Sequence, residues 1–255
     1  MNWPLPIIES PLFWICAVPA VLLNGIAKAG LGGSVGSIAV PLMALTVAPA
    51  RAAAIMLPIL VAMDLLNLWS FRQRWDRQIV QIVLPGALLG VLIGWTAFAW
   101  LEPRWVRILL GLECIVFATE RIVHAAAHQA AQPAPVDRRK GLFWGAAAGI
   151  TSFIAHAGGP PMLQFLLPLK LAREIHVGTM IVLFGCLNFV KLPIYKSLGL
   201  MNPTELATSL MLLPLVPLGT WVGTRILRAI RPEVFVRVIT WGMLLTGIQL
   251  LAQAI

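Results

Sequence analysis

The chain has 255 residues, 59% of them hydrophobic and 11% charged, with a mean hydropathy of +0.88. A soluble domain carries about a quarter charged residues and somewhat under half apolar ones, so this composition excludes an ordinary cytosolic enzyme and excludes disorder. The 19 Lys and Arg against 10 Asp and Glu leave a formal charge of +9; there is no basic stripe with interleaved aromatics, which excludes a nucleic-acid partner and leaves orientation in a bilayer as the role of the positive charge.

Apolar runs of about twenty residues, rich in Leu, Ala, Gly and Trp, predict membrane-spanning helices rather than the short alternating strands of a barrel. In chain order the expected segments are Pro11–Lys28, Ser34–Val47, Arg51–Ser70, Ile79–Trp100, Arg104–Val123, Gly141–Ala155, Pro160–Leu169, Glu174–Tyr195, Thr204–Leu227 and Pro232–Ile255. Those beginning at Ser34, Gly141 and Pro160 are too short to cross at about 1.5 Å per residue. The expected fold is therefore all-α and integral to the membrane, with about eight to ten helical segments. The start, MNWPLPIIES, has no basic region, so the first run is expected to be retained. Cys16, Cys114 and Cys186 each sit inside an apolar run and read as packing residues. Trp3, Trp14, Trp69, Trp75, Trp100 and Trp105 fall near span ends and read as interface anchors.

The polar stretch 124–140, with AAQPAPVDRRK, reads as a cytoplasmic linker between two membrane halves, 1–123 and 141–255. Each half carries an apolar segment broken by a glycine pair, Gly32-Gly33 and Gly158-Gly159. Pro85, Gly90, Gly94 and Pro103 recur 129 residues later as Pro214, Gly219, Gly223 and Pro232, and Asn67 and Asn188 fall in matching helices. An internal repeat follows. With the linker inside, Arg72, Arg74, Arg77, Lys170, Arg173, Arg225, Arg228, Arg231 and Arg237 fall on the same side, with Lys28 and Arg121 near it. Arg51, Arg104, Arg107, Lys191 and Lys196 fall outside. The asymmetry orients the chain with both termini extracytoplasmic. An odd number of segments per half makes the repeats inverted, an architecture of secondary transporters with substrate held at the midplane.

Each glycine pair either joins two tilted spans or tips a re-entrant hairpin. Broken backbone at membrane depth is tolerated where it is buried in protein or lines a polar cavity, and the helix that follows points N–H groups at the break. Two such breaks predict an anion site, built from Lys28, Gly32, Gly33 and Ser34 in the first half and His156, Gly158, Gly159, Pro160 and Gln164 in the second. The competing reading is that the glycines only let helices pack closely. Lys28 complements an anion or snorkels to the interface; His156 carries a proton or stays neutral against backbone. Asn188 and Lys191, spaced i, i+3, share a helix face suited to an oxyanion, and Asp64 and Asn67 repeat that spacing in the first half. Asp64 and Glu113 are the carboxylates inside spans, so with His156 they are the candidates for proton coupling; each equally suits neutralising a buried base. His124 and His128 have the i, i+4 spacing of paired ligands but no third partner nearby, and neither a metal nor a cofactor is expected. No nucleotide-binding loop or nucleophile motif appears.

The segments GLGGSVGSIAVPLMAL and FIAHAGGPPMLQFLLPLKLAREIHVGT, the latter followed by Asn188 and Lys191, resemble the two signature repeats of the sulfite exporter TauE/SafE family, also called the 4-toluene sulfonate uptake permeases. The resemblance runs from about Val18 to Gly247 and is most specific at AHAGGPP, Arg173, Gly178-Thr179 and Asn188. It departs where Ser34 replaces the third glycine common in the family. It implies a permease of the bacterial inner membrane for sulfite, a sulfonate, thiosulfate or a related small anion, coupled to a proton or sodium ion, with a homodimer as one assembly. A drug/metabolite-type carrier and a non-transporting membrane scaffold are the alternatives.

Overall fold

A computed structural model describes residues 7–31, 36–98, 100–123, 133–229 and 232–254. Gly32, Gly33, Ser34, Trp3, Arg231, His124 and His128 lie outside them. Among the described residues the elements are all helical: α1 (Pro11–Leu31), α2 (Ala39–Ala44), α3 (Pro49–Phe71), α4 (Arg77–Phe98), α5 (Pro103–Val123), α6 (Arg138–Ala155), α7 (Gly159–Leu166), α8 (Arg173–Ser197), α9 (Pro203–Leu212), α10 (Leu215–Ala229) and α11 (Pro232–Ala254). Proline opens α1, α3, α5, α9 and α11, at the position where its missing N–H costs nothing. Pro11–Lys28, Pro49–Trp69, Arg77–Phe98, Arg173–Ser197 and Pro203–Val222 are long and apolar enough to cross a bilayer. The chain is an all-α integral membrane protein.

Two expected boundaries move. The sixth helix starts at Arg138, because Asp137 Oδ1 accepts the backbone N–H of Arg139 at 2.8 Å and of Lys140 at 3.2 Å. Arg138, Arg139 and Lys140 thus form its first turn, and its 18 residues reach about 27 Å. The expected Thr204–Leu227 run is divided between α9 and α10 at Leu213 and Pro214, where proline lacks the N–H that would continue the ladder.

The second glycine pair sits at the tip of a re-entrant hairpin. Ala134, ahead of α6, donates its N–H to the Pro168 carbonyl beyond α7 at 2.9 Å. Gly141 at the start of α6 packs against the Phe165 ring near the end of α7. The chain therefore enters along α6, turns at residues 156–158 and returns to the face it left.

Packing between the halves follows a regular scheme. Gly178 of α8 lies against the Arg74 carbonyl just past the end of α3, and Gly185 of α8 lies near Asp64 and Leu68, so α3 and α8 run antiparallel. Gly111 of α5 meets Leu251 of α11, and Gly247 of α11 meets Cys114 and Ile115, so this pair is antiparallel too. By contrast, Gly86 faces Leu142 and Gly90 faces Ala146, which makes α4 and α6 parallel. In the equivalent place α10 brings Gly219 against Leu22 and Gly25 of α1. The recurring glycines Gly90 and Gly219 thus do the same job. Gly90 seats α4 on α6 and Gly219 seats α10 on α1, each at backbone-to-backbone distance.

A Cβ at Gly90 would overlap the Ala146 carbonyl oxygen, which as helix backbone has no rotamer to yield. Gly90→Val is expected to destabilise the protein by about 1–3 kcal/mol, read as a lower unfolding midpoint in detergent. Leu89→Val beside it, on the exposed face, is the control that leaves the midpoint in place.

Candidate functional site

The antiparallel contact of α3 and α8 brings polar side chains into the centre of an otherwise apolar core. Asn188 Nδ2 donates to Asp64 Oδ2 at 2.7 Å, about two-thirds of the way along each helix. Lys28 of α1 comes to the other oxygen: its Nζ lies 2.6 Å from Asp64 Oδ1 and 3.5 Å from the Leu60 carbonyl. The ion pair is close but poorly aligned, so Oδ1 accepts no hydrogen bond from it. Three residues beyond Asn188, Lys191 Nζ donates to the Ser152 carbonyl at 2.9 Å, to Ser152 Oγ at 3.0 Å and to His156 Nδ1 at 2.7 Å. The three hydrogens of an ammonium are thereby used. His156 Nε2 faces the Ala53 carbonyl of α3 at 2.9 Å. A carbonyl accepts only, so Nε2 carries the ring proton, Nδ1 accepts from Lys191, and the imidazole is neutral.

Lys28, Asp64, Ser152, Asn188 and Lys191 are all buried, Asp64 and Lys191 completely. Among the described residues of this cluster, two lysines, Lys28 and Lys191, share the neighbourhood of one carboxylate, Asp64. Buried charge without a partner is costly, and a cluster richer in bases than in acids has the chemistry to take an anion.

His156 makes the break itself. It holds a left-handed backbone with φ 53°, and its N–H caps α6 through the Ser152 and Thr151 carbonyls. Gly158 keeps ordinary right-handed angles, φ −74° and ψ −8°. Glycine is needed there for space, since a Cβ would meet Phe184 and the Ala148 carbonyl. The expectation of free N–H groups at this break is also corrected. Pro160 and Pro161 follow Gly159 at the start of α7 and have no N–H to offer. Positive charge reaches the break from Lys191 instead.

Of the residues singled out from sequence, the structure brings together Lys28, Asp64, Asn188, Lys191, His156 and Gly158. Gly159 is buried beside them and Pro160 half-buried. Asn67 is buried but turns back to the Met63 carbonyl at 2.7 Å. Gln164 is exposed and binds both carboxylate oxygens of Glu120 at 3.0 Å, because an eight-residue helix turns it to the surface. Glu113 lies on α5, its Oε1 buried with no hydrogen-bond partner. Ser152 and Tyr195 complete the cluster. Tyr195, the chain's single tyrosine, stacks its ring on His156 at 5.9 Å and donates its hydroxyl to the Phe153 carbonyl. Its spacing from Asn188 and Lys191, i+7 and i+4, put it on their helix face and was the available signal.

Residues 17–250 match the family described as Sulfite exporter TauE/SafE. The chain belongs to this family. No curated protein and no solved structure matches it. TauE/SafE is a family of membrane transporters. The segment AREIHVGT, part of the family resemblance, takes a concrete role in this TauE/SafE chain. Gly178 admits the Arg74 carbonyl, Thr179 Oγ1 accepts the Asp76 N–H at 2.9 Å, and Asp76 Oδ1 caps α4 through Ile79 N–H at 2.9 Å. These contacts pin the α3–α4 turn to the start of α8.

Proposed function

We propose that this TauE/SafE protein is a secondary permease for a small sulfur-containing oxyanion, such as sulfite, a sulfonate or thiosulfate, working by alternating access. The observation that carries the reading is the meeting of two buried lysines, Lys28 and Lys191, with a single carboxylate, Asp64, where α3 and α8 cross. An oxyanion there takes donors from Lys191, Lys28 and Asn188 in exchange for the acceptors they now hold, and its charge complements the two bases. The antiparallel pairing of the third and fifth helices of each half agrees with two inverted repeats meeting at this point. The linker face, with Arg138, Arg139 and Lys140, is the cytoplasmic one in this reading.

The test is flux. Purified protein in liposomes is expected to carry saturable counterflow of radiolabelled sulfite, competed by thiosulfate or a small sulfonate and not by a neutral sulfone. Counterflow no faster than in empty liposomes overturns the reading. Asp64 is committed to Lys28 and Asn188, so the carboxylate better placed to carry a coupling proton is Glu113, with its unpartnered oxygen. Glu113→Gln is expected to keep counterflow and to lose the stimulation by an imposed proton gradient. Full stimulation in that variant removes Glu113 from coupling.

A further inference from the structure

The first two turns of α3 touch the candidate site and one face of the membrane at once. Arg51 Nε lies 2.6 Å from Glu205 Oε1 in the first turn of α9. Two residues on, the Ala53 carbonyl holds His156 Nε2. Two further on, the Ile55 carbonyl accepts from Ser209 Oγ at 2.8 Å. Pro58 follows. Having no N–H, it leaves the Ala54 carbonyl without its helical donor and makes this the natural bending point of α3. Residues 49–57 therefore form a short lever, jointed at Pro58, gripping the site through Ala53 and the α9 terminus through Arg51.

A second ion pair stands at the opposite end of the same helix. Arg74, three residues past the end of α3, donates to Glu174 in the first turn of α8 at 2.9 Å. From Arg51 to the end of α3 at Phe71 is about 30 Å of helix, with Asp64 between the two pairs. The pairs differ in burial. The Arg74–Glu174 side chains are 58% and 64% exposed, whereas Glu205 is 2% exposed against an Arg51 at 46%. A pair that wet contributes little. The Arg51–Glu205 pair is the better sheltered of the two, and it leaves Glu205 Oε2 buried with no hydrogen-bond partner.

We propose that residues 49–57 are the gate on the Arg51 face, latched by Arg51–Glu205 and hinged at Pro58, so that releasing the latch withdraws the Ala53 carbonyl from His156 and opens the anion site. The inference rests on the permease reading for its purpose but is testable apart from it. The full chain is used, with Cys16, Cys114 and Cys186 replaced by serine and Ala157→Cys added. Ala157 is 0% exposed and adjoins His156. A membrane-impermeant maleimide is applied from the Arg51 face of vesicles.

Labelling is expected to be about tenfold faster with Arg51→Gln than in the parent, near the parent rate with Arg51→Lys, and slowed again when Pro58→Ala is added to Arg51→Gln. If Arg51→Gln does not fold, Glu205→Gln takes its place with the same expectation. Parent-rate labelling in a folded, unlatched variant overturns the gate, even where sulfite counterflow is intact. Absent counterflow with the expected labelling pattern overturns the permease reading and leaves the latch standing.

Discussion

Lys191→Met is expected to reduce sulfite counterflow by about 10- to 150-fold while leaving the unfolding midpoint within a few degrees of the parent. The flux term comes from losing a charge-assisted contact to the anion, worth about 1.5–3 kcal/mol. The stability term is small because its parts oppose. An ammonium no longer has to be kept out of water, and methionine fills much of the same volume. The Ser152 carbonyl keeps the His156 N–H as a donor at 3.0 Å, so His156 Nδ1 and Ser152 Oγ are the groups that lose this donor. Counterflow is compared with thermal unfolding on the same preparation. A variant that unfolds early but transports normally once folded makes Lys191 a structural residue and removes it from the site.

Asp64→Asn reverses that balance. The carboxylate uses both oxygens toward positive or donating groups, Oδ1 against Lys28 Nζ and Oδ2 against Asn188 Nδ2. An amide has one oxygen and one NH2, so one of the two contacts becomes donor against donor, and the buried Lys28 loses its counter-charge. Breaking a buried pair from one side costs about 3–5 kcal/mol, which in a chain of this size lowers the unfolding midpoint by roughly 10 °C. Adding Lys28→Met removes the stranded cation, leaves the amide oxygen for Asn188, and is expected to recover more than half of the loss. The check is unfolding of the parent, both single variants and the double variant, followed by tryptophan fluorescence. An Asp64→Asn protein as stable as the parent contradicts the ion pair as described. The outcome also separates two roles for Asp64 that its position in the sequence left open, relay or neutraliser.

Much of this was legible beforehand because the physics is local. Helices were visible as apolar runs, whose expected starts at Arg51, Arg104, Thr204 and Pro232 lie within two residues of the observed ones. The rarity of ionisable groups inside those runs was enough to single out Lys28, Asp64, His156 and Lys191, since desolvation makes each such group expensive wherever it ends up. The i, i+3 spacing of Asn188 and Lys191 survived for the same reason, being a property of one helix.

What failed to show in the sequence depends on partners far along the chain. The helical period near the glycine break did not reveal that Gln164 would turn outward to Glu120, 44 residues earlier. It did not reveal that the left-handed residue at the turn would be His156 and not a glycine. Asn67 and Asn188 sit on matching helices, yet only Asn188 finds Asp64, because α3 and α8 cross with Asp64 and Asn188 at the contact.

The composition and spacing of the chain by themselves determined that it lives in a membrane, that it is helical, and which few charged groups had to be accounted for inside it. They did so because burying charge and leaving backbone unpaired are costly in any arrangement of the helices. Only the tertiary structure decided which charge meets which. Lys28 goes to Asp64, Lys191 goes to His156 and Ser152, and Arg51 goes to Glu205. Those choices turn on distances of a few ångströms between residues 35 to 154 positions apart, fixed by how closely the glycine faces let the helices approach.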